Sequence, residues 1–487
     1  MTSIGLNGSL LLGAQSLNNQ RVAIETIGNN ISNINTPGYA RQRANLVTDV
    51  QTGTGGEYDM GSAVQSIESL RSPLLDSLVQ QSLGNQGYAD NQASLTSTVQ
   101  DALGEQFTPA GSSTSSGTVV SGSGPVQDAM STFFTAMQNL ASSPSDATAR
   151  QVVVQDASSL SSAINGAYQR VQATQGQIAT DASSITTQIN QLSTQIASLN
   201  QQITQVEASS GSTANGLRDN RTAAIETLSG LVNVTTTTQP NGSVNVALAD
   251  NPSVVLVDGV NSNGAGTTQS LSASYNANSS TPLTVSGSTT GVLGTGVPSG
   301  GSLGSDLSVA NDVIGSPAAS GDTGILGALD DVANQLRTQV NSQNAAGYDL
   351  NGNAGGAIFT GTGAADLAVS SSVLSNPSLI AAGNGSGVLD GSNALAMAKL
   401  QNAAGITPAF QTMVANLGQT VSTAASTQTT QDQVTQQLQT QRNSVSGVSI
   451  DEEMTNLISF QQAYSASARF ISTISSMYST LTNIPAN

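Results

Sequence analysis

Apolar residues at both ends of this chain recur at alternating steps of three and four, which confines each end to a helix with one apolar face. The first run is Leu10, Gly13, Leu17, Gln20, Ile24, Ile27, Ile31 and Ile34; the second is Leu457, Phe460, Tyr464, Ser467, Ile471, Ile474, Tyr478 and Leu481. The first stops at Asn35-Thr36-Pro37-Gly38-Tyr39, where Pro37 disfavours helical geometry at Thr36 and Gly38 permits a sharp turn, so a corner is expected. The second opens after Gly447 with Ser449-Ile450-Asp451-Glu452, a capping-box pattern, and Pro485 lies past its end. Burying one stripe of large side chains does not repay the entropy of fixing a helix backbone, so neither helix, nor an isolated pair, is expected to stand alone. Pairing of the two ends as a coiled coil, packed against the ends of neighbouring copies, would supply the missing contacts.

Charge follows the same division. The chain carries 12 basic and 30 acidic residues, a net charge of -18. Residues 1–40 and 445–487 hold only Arg21, Glu25, Asp451, Glu452, Glu453 and Arg469, so nearly all of that charge belongs to the middle. Uncharged ends suit burial and an acidic middle suits water. The acidic balance repels phosphate backbones and anionic lipid, so neither nucleic acid nor membrane is an expected partner. No run approaches the roughly 18 apolar residues of a membrane span, and the first cation arrives only at Arg21, so no cleaved signal peptide is expected.

A chain of 487 residues exceeds what one core holds. A third seam runs through Ile164, Tyr168, Val171, Gln175, Ile178, Ala182, Ile185, Ile189, Leu192, Ile196, Leu199, Ile203 and Val206, about six heptads, and predicts a long helix or a helical hairpin. From Val232 the period changes to two: strand residues to Thr235, a turn at Gln239-Pro240-Asn241-Gly242, then Val244 to Leu248 and Val254 to Val257. Residues 258–305 are rich in Gly, Ser, Thr and Asn and read as thin strands and turns; helical spacing returns at Ile325, Leu329, Val332 and Leu336, and again from Ala394 to Leu417. The expected fold is mainly α with a β-rich insertion. Residues 1–40 and 445–487 form the terminal coiled-coil domain, 41–235 and 305–444 an elongated, mainly helical middle domain, and 236–304 a small outer β domain. Gly111 to Gly124 reads as a Ser/Gly surface link between helices.

Chemistry has few footholds. The chain has no His and no Cys, which removes the commonest general base, the thiol nucleophile and most zinc ligand sets. Asp330-Asp331 and Glu452-Glu453 are adjacent on helices, so their side chains diverge by about 100° and do not form a catalytic pair; cap and solvent-face roles are expected. Lys399, the single lysine, reads as a surface charge. Asp349, Asn351 and Asn353 carry the early spacing of a calcium loop, but position six is Ala354 and position twelve Thr360, which leaves a tight turn as the better reading. The cluster Leu217-Arg218-Asp219-Asn220-Arg221 reads as ion pairs on a helix surface. No catalytic, cofactor or metal residue is expected. The rival readings are a secreted adhesin, which would not need matched apolar helices at both ends, and a hydrolase working with carboxylates alone.

The segment Gly28-Asn29-Asn30-Ile31-Ser32-Asn33-Ile34-Asn35-Thr36-Pro37-Gly38-Tyr39-Ala40-Arg41-Gln42 closely resembles the N-terminal signature of the flagellar rod, hook and hook-associated protein superfamily. Glu453-Met454-Thr455-Asn456-Leu457-Ile458-Ser459-Phe460-Gln461-Gln462-Ala463-Tyr464 and the residues to Arg469 resemble its C-terminal signature. Within that superfamily, Leu217 to Arg221, Val244 to Leu248, Val257-Asp258-Gly259 and Gly347-Tyr348-Asp349-Leu350-Asn351-Gly352 resemble the hook-associated members. The chain departs from them at Ala310-Asn311-Asp312, where an Arg-Asp pair is expected, and at Asn344, where His is frequent.

The resemblance implies a structural subunit at the junction of hook and filament, with hook or distal rod protein as the alternative. It also implies export through the flagellar type III channel, and an extracellular place in the flagellum. The implied partners are copies of itself in a ring, hook protein, the second junction protein (hook-associated protein 3) and an export chaperone. The stripe residues Leu10, Leu17, Ile24, Ile27, Ile31, Ile34, Leu457, Phe460, Tyr464, Ile471, Ile474, Tyr478 and Leu481 are the expected assembly interface, with Asn35, Thr36, Pro37, Gly38 and Tyr39 as its corner.

Overall fold

The structure, a computed structural model, describes residues 6–36, 38–53, 56–105, 124–259, 266–288, 291–292, 298–316, 324–385, 387, 389–403 and 405–482. Helix α1 (Leu6–Ser32) leads into a hairpin of β1 (Gln42–Gly53) and β2 (Gly56–Ser69), then α2 (Pro73–Leu103), α3 (Pro125–Ser142), α4 (Ala147–Ser210) and α5 (Asn215–Leu231). Two antiparallel sheets follow, β3-β4-β5 (Val234–Thr238, Val244–Leu248, Val255–Val257) and β6-β7-β8 (Leu271–Tyr275, Leu283–Gly287, Gly291–Val292). Helix α6 (Gly301–Ser308) runs into a π-helical turn (Val309–Ile314) and α7 (Ile325–Ala345) follows. The short pair β9 (Phe359–Thr360) and β10 (Ala368–Val369), then α8 (Ser371–Ser375), α9 (Ser392–Ala403), α10 (Ile406–Ser446) and α11 (Ile450–Thr482) complete the order. The fold is mainly α with a β-rich insertion.

Helix α4 is one unbroken spine of 64 residues, about 96 Å at 1.5 Å per residue, not a hairpin. The Asp146 carboxylate accepts from Thr148 N at its start, and Gly211, at φ 63°, stops it in a left-handed turn. Its seam, Ile164 through Ile203, is buried by α3 on one stretch and by α5, α6 and both sheets on others. Two asparagines on this spine dock the sheets by mimicking a strand backbone. Asn200 gives its amide to Val244 O (2.8 Å) and accepts from Val244 N (3.0 Å), and Asn190 does the same with Leu271 (2.8 Å each way). Such a pairing satisfies an open strand edge without introducing a charge.

Residues 42–69, expected within the mainly helical domain, form instead a long two-stranded hairpin, with Gln42 opposite Ser69 and Gly53 opposite Gly56. The sequence there gives no steady alternation, because bulges between Asn45 and Leu46 and between Thr48 and Val50 shift the period. The 217–221 cluster is a second correction: Asp219 and Arg221 are buried, not on a helix surface. Helix α5 packs between α4 and α2, which turns these charges inward, and Arg221 spends them on Asn200 Oδ1 (2.8 Å) and Gly242 O (2.7 Å). The Asp349 loop is a tight turn in which its own carboxylate accepts from Asn351 N and Asn353 N, at 2.8 Å each. At Asn344, the buried amide bridges Gly356 O (2.7 Å) and Ala381 N (2.9 Å). Asp330 caps Ala364 N at 2.5 Å while Asp331 stays exposed, so that pair diverges. Lys399 is exposed. Residues 106–123 carry most of the Ser/Gly link and lie outside the described residues.

Candidate assembly interface

Helices α1 and α11, the first and last elements, pack antiparallel against each other. The contact is close where side chains vanish: a Cβ on Gly13 would stand 2.5 Å from Ile471 Cγ1. One turn on, the hydroxyls of Ser16 and Ser467 meet at 2.9 Å, and further along Asn30 reaches Glu453 at 3.0 Å. These pairs keep one register, which brings Ile24 level with Phe460 and Ile27 level with Leu457. The other flank of α1 carries the hairpin: Asn19 donates to Ser62 O and, at 3.2 Å, to Ser62 Oγ, and Gly61 lies against Leu12. Helix α1 is thus covered on two sides and α11 on one.

The stripe residues divide accordingly. Ile27 is buried; Leu17, Ile24, Ile31, Ile34, Leu457, Phe460, Ile471 and Ile474 are half-buried; Leu10, Tyr464 and Tyr478 are exposed. Pro37 and the Leu481 side chain lie outside the described residues. Beyond the stripe, Leu11, Met454, Ile458, Phe470 and Met477 are also exposed. Helix α11 therefore still shows apolar surface to solvent after pairing with α1, in a helix that carries no charge beyond Glu453 except Arg469.

Where the paired helices meet the body, a polar corner fixes them. Asn30 is 1% exposed and uses its whole amide: it donates to Gln42 O (2.8 Å) and Glu453 Oε2, and accepts from Gln42 N and Tyr39 Oη (2.9 Å each). Glu453, also 1% exposed, takes Arg41 Nε at 2.8 Å. Glu452, which the capping-box pattern aims at the start of its own helix, is held instead by Arg41 Nη1 at 2.7 Å. The reason is competition: a guanidinium offers a charge-assisted bond where a backbone amide offers a weaker one.

Gly38 has φ 77°, and a Cβ there would press on Ala223 at 3.0 Å, so the corner both turns on and docks against glycine. Arg71 holds the corner to the body, donating to Gly38 O and to Asp219 Oδ1 (3.0 Å), and Asp219 Oδ2 reaches Ala40 N at 3.5 Å. Burial, with Asp219 and Glu453 adding their charge, pushes the Tyr39 hydroxyl up to about 12, so it stays a neutral donor. Burial also pushes the Asp219 carboxyl up, against the pull of Arg71.

Sequence reasoning found the apolar stripes and the corner but missed Asn30, Arg41, Arg71, Asp219 and Glu453. Asn30, Arg41 and Glu453 were visible as charge and amide groups in the two signatures and Asp219 as part of a charged cluster, whereas Arg71 stood out in no motif; their partners, up to 423 positions away, were not visible. Among the described residues, no three His, Cys, Asp or Glu side chains are grouped to hold a metal ion. Among the same described residues, no helix is long and apolar enough to cross a membrane.

Comparison with known proteins follows the same map. The flagellar hook-associated protein FlgK helical domain matches residues 117–359, the flagellar basal body rod FlgEFG protein C-terminal family matches 439–484, and the flagella basal body rod protein family matches 10–39. Flagellar hook-associated protein 1 of Bacillus subtilis (strain 168) is 24% identical over 500 residues, covering 94% of this chain and 94% of its own. The proteins of that description from Salmonella typhimurium and Escherichia coli (strain K12) are each 26% identical, covering 98% of this chain and 100% of theirs. The fold is shared with the flagellar hook junction protein FlgK from Burkholderia pseudomallei, at a TM-score of 0.61 and 18% identity over 77% of this chain and 100% of that one. Fold and matches together define a structural component of the bacterial flagellum. Within that class, the chain belongs to the flagellar hook-associated protein 1 family.

Proposed function

We propose that this chain joins hook to filament as a ring of identical copies held together through α1 and α11, and that it is not an enzyme. One observation carries the reading: α11 retains Met454, Ile458, Tyr464, Phe470, Met477 and Tyr478 at its surface after α1 has covered one side. Exposed apolar groups on a nearly uncharged helix are a cost in a free monomer and a gain once a neighbour covers them. On this reading residues 1–40 and 445–487 are the polymerising domain, the helical body surrounds it, and the β insertion, residues 236–304, faces outward. Hook protein lies on one side and hook-associated protein 3 on the other, a chaperone guards the apolar ends before export, and the subunit works outside the cell.

Ile458→Asp and Met477→Asp, at exposed positions off the packed stripe, test this. Both are expected to leave the body folded and to abolish filament attachment in a strain lacking the native protein. Filaments of normal length on either variant would remove α11 from the interface.

A further inference from the structure

Inside the helical body, where α6 meets α2 and α4, lies a carboxyl group that assembly through the chain ends does not use. Asp306 is 0% exposed. Asn91 of α2 donates to its Oδ1 at 2.7 Å, while Oδ2 has no protein partner, and neither has the buried hydroxyl of Ser305 beside it. The charge that reaches it is the negative one of Asp181 on α4. Among the other acids of the neighbouring elements, Asp312 of the π turn bonds Ser308 (3.1 Å), Asp90 of α2 pairs with Gln428 near the charge of Asp432, and Glu226 of α5 pairs with Arg442. A buried ionised carboxylate with one oxygen lacking a protein partner is heavily penalised; the neutral acid is penalised far less.

The segment that follows Asp306 is a connector. Three residues on, the π-helical turn begins, and the buried Gln175 of α4 holds its Ala310 O and, just past it, Gly315 O, at 2.7 and 2.8 Å. In the same turn, Asn311 grips both backbone groups of Leu283, the first residue of β7, at 2.9 and 2.8 Å. Movement of α6 away from α2 would therefore be passed to the β6-β7-β8 sheet. π-helical turns are rare and concentrate where a helix does something other than pack.

We propose that Asp306 is a proton-operated fastener: neutral, it seats α6 on α2 and α4, and ionised, it loosens α6 together with the outer sheet that Asn311 holds. Burial, opposed by the Asn91 hydrogen bond and reinforced by Asp181, pushes its pKa up to about 7, which puts the change near neutrality. The folded state binds this proton more tightly than the unfolded chain. The stability it confers is complete below the ordinary carboxylate range and is lost as pH rises through about 7, by close to tenfold in the unfolding constant per unit through that window.

The experiment is amide exchange and denaturant unfolding of the full chain at about pH 5, 6, 7 and 8, on the native protein and on Asp306→Asn. The native chain is expected to lose protection in residues 303–314 and 283–287 as pH rises, beyond the intrinsic acceleration of exchange. Asp306→Asn is expected to lack that component and to be the more stable of the two at about pH 8. Parallel pH profiles for the two chains would overturn the proposal. Should Asp306→Asn fail to fold, a carbon NMR titration of the assigned aspartate carboxyls of the native chain decides: an Asp306 carboxyl still protonated at about pH 6 supports it, and complete ionisation of Asp306 there overturns it.

Discussion

The carboxylates Glu207 and Asp219, both paired with arginines, are tuned in opposite senses, and the difference says what each ion pair is for. Arg218 holds Glu207 by two bonds, at 2.7 and 2.8 Å, and this contact first of all pulls the Glu207 carboxyl below its ordinary range. Its contribution is present above the ordinary carboxylate pKa and is lost as pH falls through the lowered one. For Asp219, burial outweighs Arg71, so its contribution runs the other way and is lost as pH rises through the raised value. The Asp219–Arg71 pair therefore fixes the position of the corner more than it adds stability. Glu453 joins the two ends of the chain, and removing it leaves Arg41 and Asn30 facing a gap. Glu453→Ala is expected to cost about 3 kcal/mol locally, read as a roughly hundredfold faster exchange of amides in residues 450–482 with the α3–α4 core unchanged.

At the scale of elements, spacing points to helix in α1, α4 and α11, because a heptad stripe of mostly apolar residues suits one helical face, though it left α4 open as one helix or a hairpin. What spacing does not carry is which polar side chain meets which backbone edge. Asn190 and Asn200 look like ordinary surface amides in a Gln- and Asn-rich helix, yet each docks a sheet. The β1-β2 hairpin was hidden for a related reason: its bulges break the period on which a strand is recognised, and Asn19 and Leu12 of α1 hold it from a distance. Two substitutions test these contacts. Asn190→Ala leaves both Leu271 backbone groups unpaired, a loss of about 1–3 kcal/mol, and should raise exchange in residues 271–287 while α4 stays helical by circular dichroism. Gly13→Leu forces α1 off Ile471 and should abolish co-assembly with native subunits, measured by sedimentation of mixed rings, without lowering the melting temperature of the body.

For the whole molecule, the pairing of α1 with α11 has a consequence for order in time. The stripe of Ile24 and Ile27 finds Phe460 and Leu457 only after more than four hundred intervening residues have been made and brought back. The body carries its own core, in α3, α4, α7 and α10, and does not wait for them. Chains shortened by removal of residues 450–487 should therefore keep a protease-resistant body yet show α1 and the corner cut early, as limited digestion followed by mass spectrometry would reveal. A prematurely terminated product has nothing to close with, so on the proposed reading it would be refused a place among its neighbours by geometry alone.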